Sequence, residues 1–182
     1  VNNPDGSGVV AMETVRPAKP DGSKILQFHT SMLIKTATGV YDKAAADDFK
    51  IIGVSQGTEK AQYVLVVSAD GGITSLDDFV EKAKGGELKL GVETGGTSHI
   101  MAGLLAKAAD LPIKYVEAGS DTEKLTALVG NTIDAALVNV NQAKQYVESG
   151  KAIALGVISN GEEGARSSVL PDVPSLQEQG ID

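Results

Sequence analysis

The sequence predicts an α/β protein in which a parallel sheet is wrapped by helices. Three observations carry that prediction. Between residues 75 and 158, apolar strand-like runs alternate with helical segments in the order αβαβαβαβ. The runs, such as Ile133 to Val138, are almost unbroken rather than alternating, as in strands covered on both faces. The helical segments open on capping residues, and several close on glycine. Connections of this kind are right-handed crossovers.

Taken in chain order, the first 24 residues are rich in turn formers, with Asn2-Asn3-Pro4-Asp5-Gly6 and Lys19-Pro20-Asp21-Gly22 flanking a short helix over Val9 to Val15. Ile25 to Phe28 reads as a strand, and residues 29 to 48 give no regular pattern. Lys50 to Val54 and Tyr63 to Val67 are β-branched runs and read as strands. Ser75 with Asp78 forms a capping box for a helix that presents Leu76, Phe79, Val80 and Ala83 on one face and ends at Gly85-Gly86. A strand over Leu88 to Val92, a helix over Ser98 to Ala109 and a strand over Ile113 to Val116 follow. Ser120 with Glu123 opens the next helix, which stops at Gly130. After the strand Ile133 to Val138, Asn139 caps a helix over Val140 to Glu148 that Gly150 closes. Ala152 to Ile158 is the last strand. The charged run Asn160 to Arg166 reads as a loop, and Ser175 with Glu178 opens a short helix before Gly180.

Composition narrows the function. The 182 residues carry 16 Lys and Arg against 24 Asp and Glu, a net charge of −8. No basic cluster is present, and phosphate backbones need one, so no nucleic-acid partner is expected. The absence of cysteine excludes disulfides, thiolate zinc sites and cysteine nucleophiles. Two histidines, His29 and His99, exclude a histidine-rich metal site, and no calcium-loop motif occurs. Neither metal nor cofactor is expected. No apolar run approaches the roughly 20 residues that span a bilayer. Residue 1 is Val, and no signal segment is visible, so any targeting segment is expected to have been removed.

Ligands of helix-wrapped parallel sheets sit beyond the carboxyl ends of the strands. This directs attention to the loops after Val92, Val116 and Val138. In the first, Thr94-Gly95-Gly96-Thr97-Ser98-His99 joins a strand to a helix. Two glycines let the backbone turn sharply, the hydroxyls can donate, and the free amides and dipole of the helix start favour an anion. The same residues also suit an ordinary strand-to-helix turn. The loop carries neither a P-loop lysine nor the dinucleotide glycine pattern. Thr30 and Ser31, after the expected strand Ile25 to Phe28, are candidates at its carboxyl end, and Asn139 is a candidate at the end of the strand before it. A different chemistry is suggested by Gly53-Val54-Ser55-Gln56-Gly57, which matches the G-x-S-x-G nucleophile elbow of serine hydrolases. That reading needs a strand before Ser55, a helix after it and His99 as base. Thr58 to Gln62 is short for that helix.

Several segments, in order, resemble one family. They are Val1 to Gly8, Ala18-Lys19-Pro20-Asp21-Gly22-Ser23-Lys24-Ile25-Leu26, Gly130-Asn131-Thr132-Ile133-Asp134-Ala135, Gly150 to Val157, and Leu170-Pro171-Asp172-Val173-Pro174-Ser175-Leu176 with Glu178 and Gly180. Together they resemble the tripartite tricarboxylate transporter substrate-binding receptors, the Bug family of extracytoplasmic solute receptors. The resemblance implies a two-lobed fold like the type II periplasmic binding proteins, with no catalysis. It implies capture of a small carboxylate, an organic acid or amino acid, and delivery to a pair of membrane subunits by a monomeric receptor in the cell envelope. It also implies one complete and one truncated lobe: residues 1–60 as partial lobe one and hinge, 61–158 as the ligand-binding lobe, and 159–182 as a segment returning toward lobe one. Lobe closure would hinge near residues 25–31 and 150–158. The family's Gly/Ser/Thr-rich carboxylate loop matches Thr94 to His99. Glu93 departs from it, because the family has small residues there. Strand alternation turns Glu93 away from the buried side of Val92.

Overall fold

Among the described residues five strands, β1 (Tyr63–Ser68), β2 (Lys89–Val92), β3 (Lys114–Glu117), β4 (Ala135–Asn139) and β5 (Ala152–Ile158), form one sheet in the order β3-β2-β4-β1-β5. The structure is a computed structural model that describes residues 1–3, 5–55, 62–158 and 165–181. β2 runs parallel to both β3 and β4, whereas β1 is antiparallel to both β4 and β5. The four strands between 75 and 158 therefore share one direction, as the αβ alternation requires. The difference from a wholly parallel sheet is β1, which enters between β4 and β5 in the opposite sense. Its apolar run reports burial on both faces and carries no information about direction.

The chain divides into two compact units, Val1–Gln56 with Thr94–Thr97, and Gly57–Glu93 with Ser98–Asp182. In the second unit, alternate strand residues feed two separate cores. Leu65, Val67, Leu90, Val92, Ala135 and Leu137 pack with Leu76, Phe79 and Ala83 of α4 (Leu76–Lys84) and with Ala102 and Leu105 of α5 (Thr97–Ala108). Val64, Val66, Ala136, Val138 and Val157 pack with Leu125 and Leu128 of α6 (Asp121–Val129) and with Val140 and Ala143 of α7 (Val140–Glu148). The period-2 alternation of a strand sends successive side chains to opposite helix layers. The capping boxes at Ser75/Asp78 and Ser120/Glu123 form in both directions, side chain to backbone and back. Ser175 and Glu178 make the same reciprocal pair over a single 3-10 turn, Gln177–Gln179. This tail lies along β5: the Val157 amide donates to the Pro174 carbonyl and the Leu176 amide to the Val157 carbonyl, each at 2.9 Å.

The first unit, within the described residues, is helical. α1 (Val9–Val15), α2 (Ser31–Ala37) and α3 (Ala45–Asp48) surround Met12, Met32 and Tyr41. Two expected strands are absent. Residues 25–28 form no ladder; Leu26 and Phe28 pack against the helical core while Ile25 is exposed. Residues 50–54 form none either, and Ile51, Ile52 and Val54 are exposed. β propensity describes fitness for a pleated, half-covered surface and makes a strand only where a partner edge exists. The hinge candidate at 25–31 is accordingly not strand-like, since α2 begins at Ser31. Four expectations concern residues outside those described: the end of the G-x-S-x-G motif at Gln56-Gly57, the stretch Thr58 to Ala61, most of the charged run Asn160 to Arg166, and Pro4 of the N-terminal segment. Arg166, which is described, forks onto Glu178 at 2.9 and 3.0 Å.

Candidate functional site

The sheet topology singles out one place on its carboxyl edge. β2 and β4 are neighbours, yet the chain leaving β2 travels through α5 to β3 and the chain leaving β4 travels through α7 to β5, on the other side. Connections that diverge from adjacent strands open a crevice beyond their carboxyl ends. Within the second unit the residues at that point are Glu93 after β2, Ser98 in the first turn of α5 and the Asn139 corner after β4.

The loop after β2 is built around glycine and serine. Gly95 has φ +70°, a left-handed conformation that a Cβ strongly disfavours. A Cβ there would also lie 2.9 Å from Val40 Cγ2. Gly95 and Gly96 are both buried, and the 12-residue α5 starts at Thr97. Ser98, buried, accepts the Glu93 amide on its Oγ at 3.0 Å, which ties the end of β2 to the first turn of α5. Glu93 itself is half-buried. His99 is half-buried with its ring 5.1 Å from that of Tyr115 on β3. Burial raises the Tyr115 phenol above its usual range.

At the second corner, Asn139 is both the last residue of β4 and the cap of α7. Its Oδ1 accepts the Asn141 amide at 2.9 Å and the Asn141 side-chain amide at 3.0 Å. Its own backbone N–H donates to Asp121 Oδ2 at 2.9 Å. The antiparallel β1 adds Tyr63 to this edge, opposite Asn139 on one side and Ile158 on the other. Sequence reasoning did not place Tyr63, Asp121 or Lys124 here. For Lys124 a signal existed: it stands beside Leu125 and four residues before Leu128, on the apolar side of α6, where a lysine is buried only with a partner.

Two sequence candidates lack the strand that was expected before them. Thr30 and Ser31 do not end a strand. Thr30 is exposed and precedes α2 with no side-chain cap, and Ser31 is buried, with its amide and hydroxyl each 3.3 Å from a His29 ring nitrogen. Ser55 is exposed in a segment with no strand before it, so the nucleophile elbow lacks the element that strains and presents the serine. Among the described residues no cluster of His, Asp or Glu could hold a metal ion, and no helix is long and apolar enough to cross a membrane.

Comparison with known proteins gives the following. The family model of the tripartite tricarboxylate transporter family receptor matches residues 1–182. A UPF0065 protein of Bordetella pertussis is 27% identical over 184 residues, which is 98% of this chain and 54% of that protein. The chain spans about half the length of the curated relatives it matches. Among solved structures, the periplasmic binding protein BugD superposes with a TM-score of 0.74 at 21% identity, over 96% of this chain and 57% of that one. MatC from Rhodopseudomonas palustris, with bound malate, superposes with a TM-score of 0.59 at 20% identity, over 66% and 41%. At these identities the likeness to the solved structures establishes the fold.

Proposed function

The chain belongs to the tripartite tricarboxylate transporter receptor family, and from that premise we propose that it captures a small carboxylate outside the cytoplasm and presents it to membrane subunits of a transporter. The observation that carries the proposal is the loop at the switch point, where the Gly95-Gly96 turn delivers the chain into the start of α5. A helix start offers free amides and a positive dipole end, worth about 0.3–1 kcal/mol to an exposed anion and more when partly buried. The same edge holds Asn139 at the start of α7.

In this reading Thr94, Gly95, Gly96, Thr97 and Ser98 receive one carboxylate, largely through backbone N–H groups. Asn139 at the start of α7 and His99, whose ring meets that of Tyr115, are further candidate ligand groups. Thr30 and Ser31, before and at the start of α2, remain candidate ligand groups of the first unit. The malate bound by MatC and the periplasmic description of BugD support the ligand class and the compartment. The protein works by binding and release, with lobe closure around the ligand as the signal to the membrane subunits.

Calorimetric titration of the full-length protein with malate, adipate and glutamate tests the reading. Saturable binding of at least one acid, lost in a Gly95→Val variant that still folds, is expected. Absence of binding to all three, or an ester hydrolysis rate that falls in Ser55→Ala, would overturn it.

A further inference from the structure

The ladder between β2 and β4 ends early, at Gly91↔Ala136, although β4 continues to Asn139. On its other side β4 stays paired to β1 as far as Asn139, and the Val140 amide still reaches the Gln62 carbonyl at 3.0 Å. Alternation along a strand then leaves Leu137 C=O and Asn139 N–H on the side that faces β2, beyond the last β2 partner. Both groups are taken by side chains of α6. Lys124 Nζ donates to the Leu137 carbonyl at 2.9 Å, and Asp121 Oδ2 accepts the Asn139 amide at 2.9 Å. The same two side chains are joined to each other, Lys124 Nζ to Asp121 Oδ1 at 2.6 Å, with the lysine side chain 2% exposed.

An ion pair this deep carries a large desolvation penalty, and apolar side chains of similar size would hold α6 on the sheet at least as well. What apolar side chains cannot do is satisfy two backbone groups of a strand that has left its neighbour. We propose that Asp121 and Lys124 are positioning residues of the ligand site: they stand in for the missing strand partner, hold the end of β4 away from β2, and so fix Asn139 and the first turn of α7 at the crevice. The inference rests on the carboxylate-binding reading for its functional consequence, but its structural half can be read without any ligand.

The test uses the full-length protein, Lys124→Met, and the double variant Asp121→Asn with Lys124→Met, which keeps an acceptor for the Asn139 amide and buries no unpaired charge. Backbone amide spectra follow Asn139 and Asn141, with residues of α4 as an internal reference. Calorimetry follows malate, adipate and glutamate. Displaced Asn139 and Asn141 signals with α4 unchanged are expected in Lys124→Met, together with at least tenfold weaker binding of whichever acid the parent binds, and Lys124→Arg should recover part of both. If Lys124→Met does not fold, the double variant is scored by the same readouts. Unmoved Asn139 and Asn141 signals in a folded variant, or parental affinity despite moved signals, would overturn the proposal. If the parent binds none of the acids, the functional reading fails by itself, while the amide shifts still decide whether the pair positions the β4 corner.

Discussion

Tyr63 and Asn139 are register partners across the antiparallel pair β1 and β4, so the first residue of one strand and the last of the other meet on the same edge of the sheet. That edge is also where β2 gives way to α5 and β4 to α7. An antiparallel strand placed inside an otherwise co-directional sheet brings its amino end to the carboxyl ends of its neighbours. Tyr63→Ala in the full-length protein is therefore expected to weaken carboxylate binding severalfold. Calorimetry checks this, and a drop in thermal stability with unchanged affinity would assign Tyr63 to the scaffold alone.

Gly95 combines a left-handed backbone with a Cβ path blocked by Val40. Gly95→Ala should be destabilised by about 1–2 kcal/mol from the backbone conformation, with a further steric part. Val40→Ala in the same chain should recover the steric part only. Denaturant melts of the four combinations measure the two parts separately.

Ser98→Ala removes the acceptor of the Glu93 amide in a buried position. Losing this hydrogen bond costs about 0.5–1.5 kcal/mol. Faster hydrogen exchange at Glu93 and at the first turn of α5, with the rest of the sheet unchanged, is the expected signature.

The capping boxes make a pH prediction. Asp78 is held below its usual range first by the Thr74 hydroxyl, Glu123 by the Ser120 hydroxyl, and Glu178 by the Ser175 amide. Each carboxyl has a folded pKa below its unfolded value. Its contribution is therefore complete above about 4.5 and lost as pH falls through the folded pKa. Stability measured by denaturant should decline from pH 5 to pH 3, and the decline should be shallower in Asp78→Asn with Glu123→Gln and Glu178→Gln. An equal slope in that variant would place the acid sensitivity elsewhere.

The same boxes show what a sequence can reveal. Ser75 with Asp78, Ser120 with Glu123 and Asn139 at the head of α7 were legible because a cap is settled within four residues. The strand positions from 88 to 158 were legible because apolar runs bounded by caps leave little choice. Ile25 to Phe28 and Lys50 to Val54 misled because propensity does not supply a partner edge. The direction of β1, the nearness of Val40 to Gly95, and the reach of Asp121 to Asn139 are long-range facts with no local mark. The turn at Gly95-Gly96 into α5 was legible because a glycine turn feeding a helix start is local chemistry. The second corner's support was missed because Asp121 reads as an ordinary first-turn acid.

In the proposed reading, the direction of the Glu93 side chain bears on which acids the loop prefers. The helix start favours an anion by about 0.3–1 kcal/mol, and a like charge 4 Å away opposes it by about 1 kcal/mol in water and more where water is excluded. The Glu93 backbone is fixed by the hydrogen bond its N–H donates to Ser98 Oγ, and Val92, its neighbour in sequence, points into the core. Strand alternation predicts that the Glu93 side chain turns to the side opposite Val92, so that its charge acts on the loop at longer range. A plain dicarboxylate should tolerate that arrangement, whereas a zwitterion would gain only if the carboxylate met its ammonium. Glu93→Gln is therefore expected to bind malate as tightly as the parent, or up to about tenfold tighter, because one repulsion is removed. Glutamate binding should not change. Titration of parent and variant with both acids, at low and at physiological salt, measures the effect, and any gain for malate should shrink as salt screens the charge. A selective loss of glutamate binding in Glu93→Gln would instead place its carboxylate against the ligand ammonium and make the protein an amino-acid receptor.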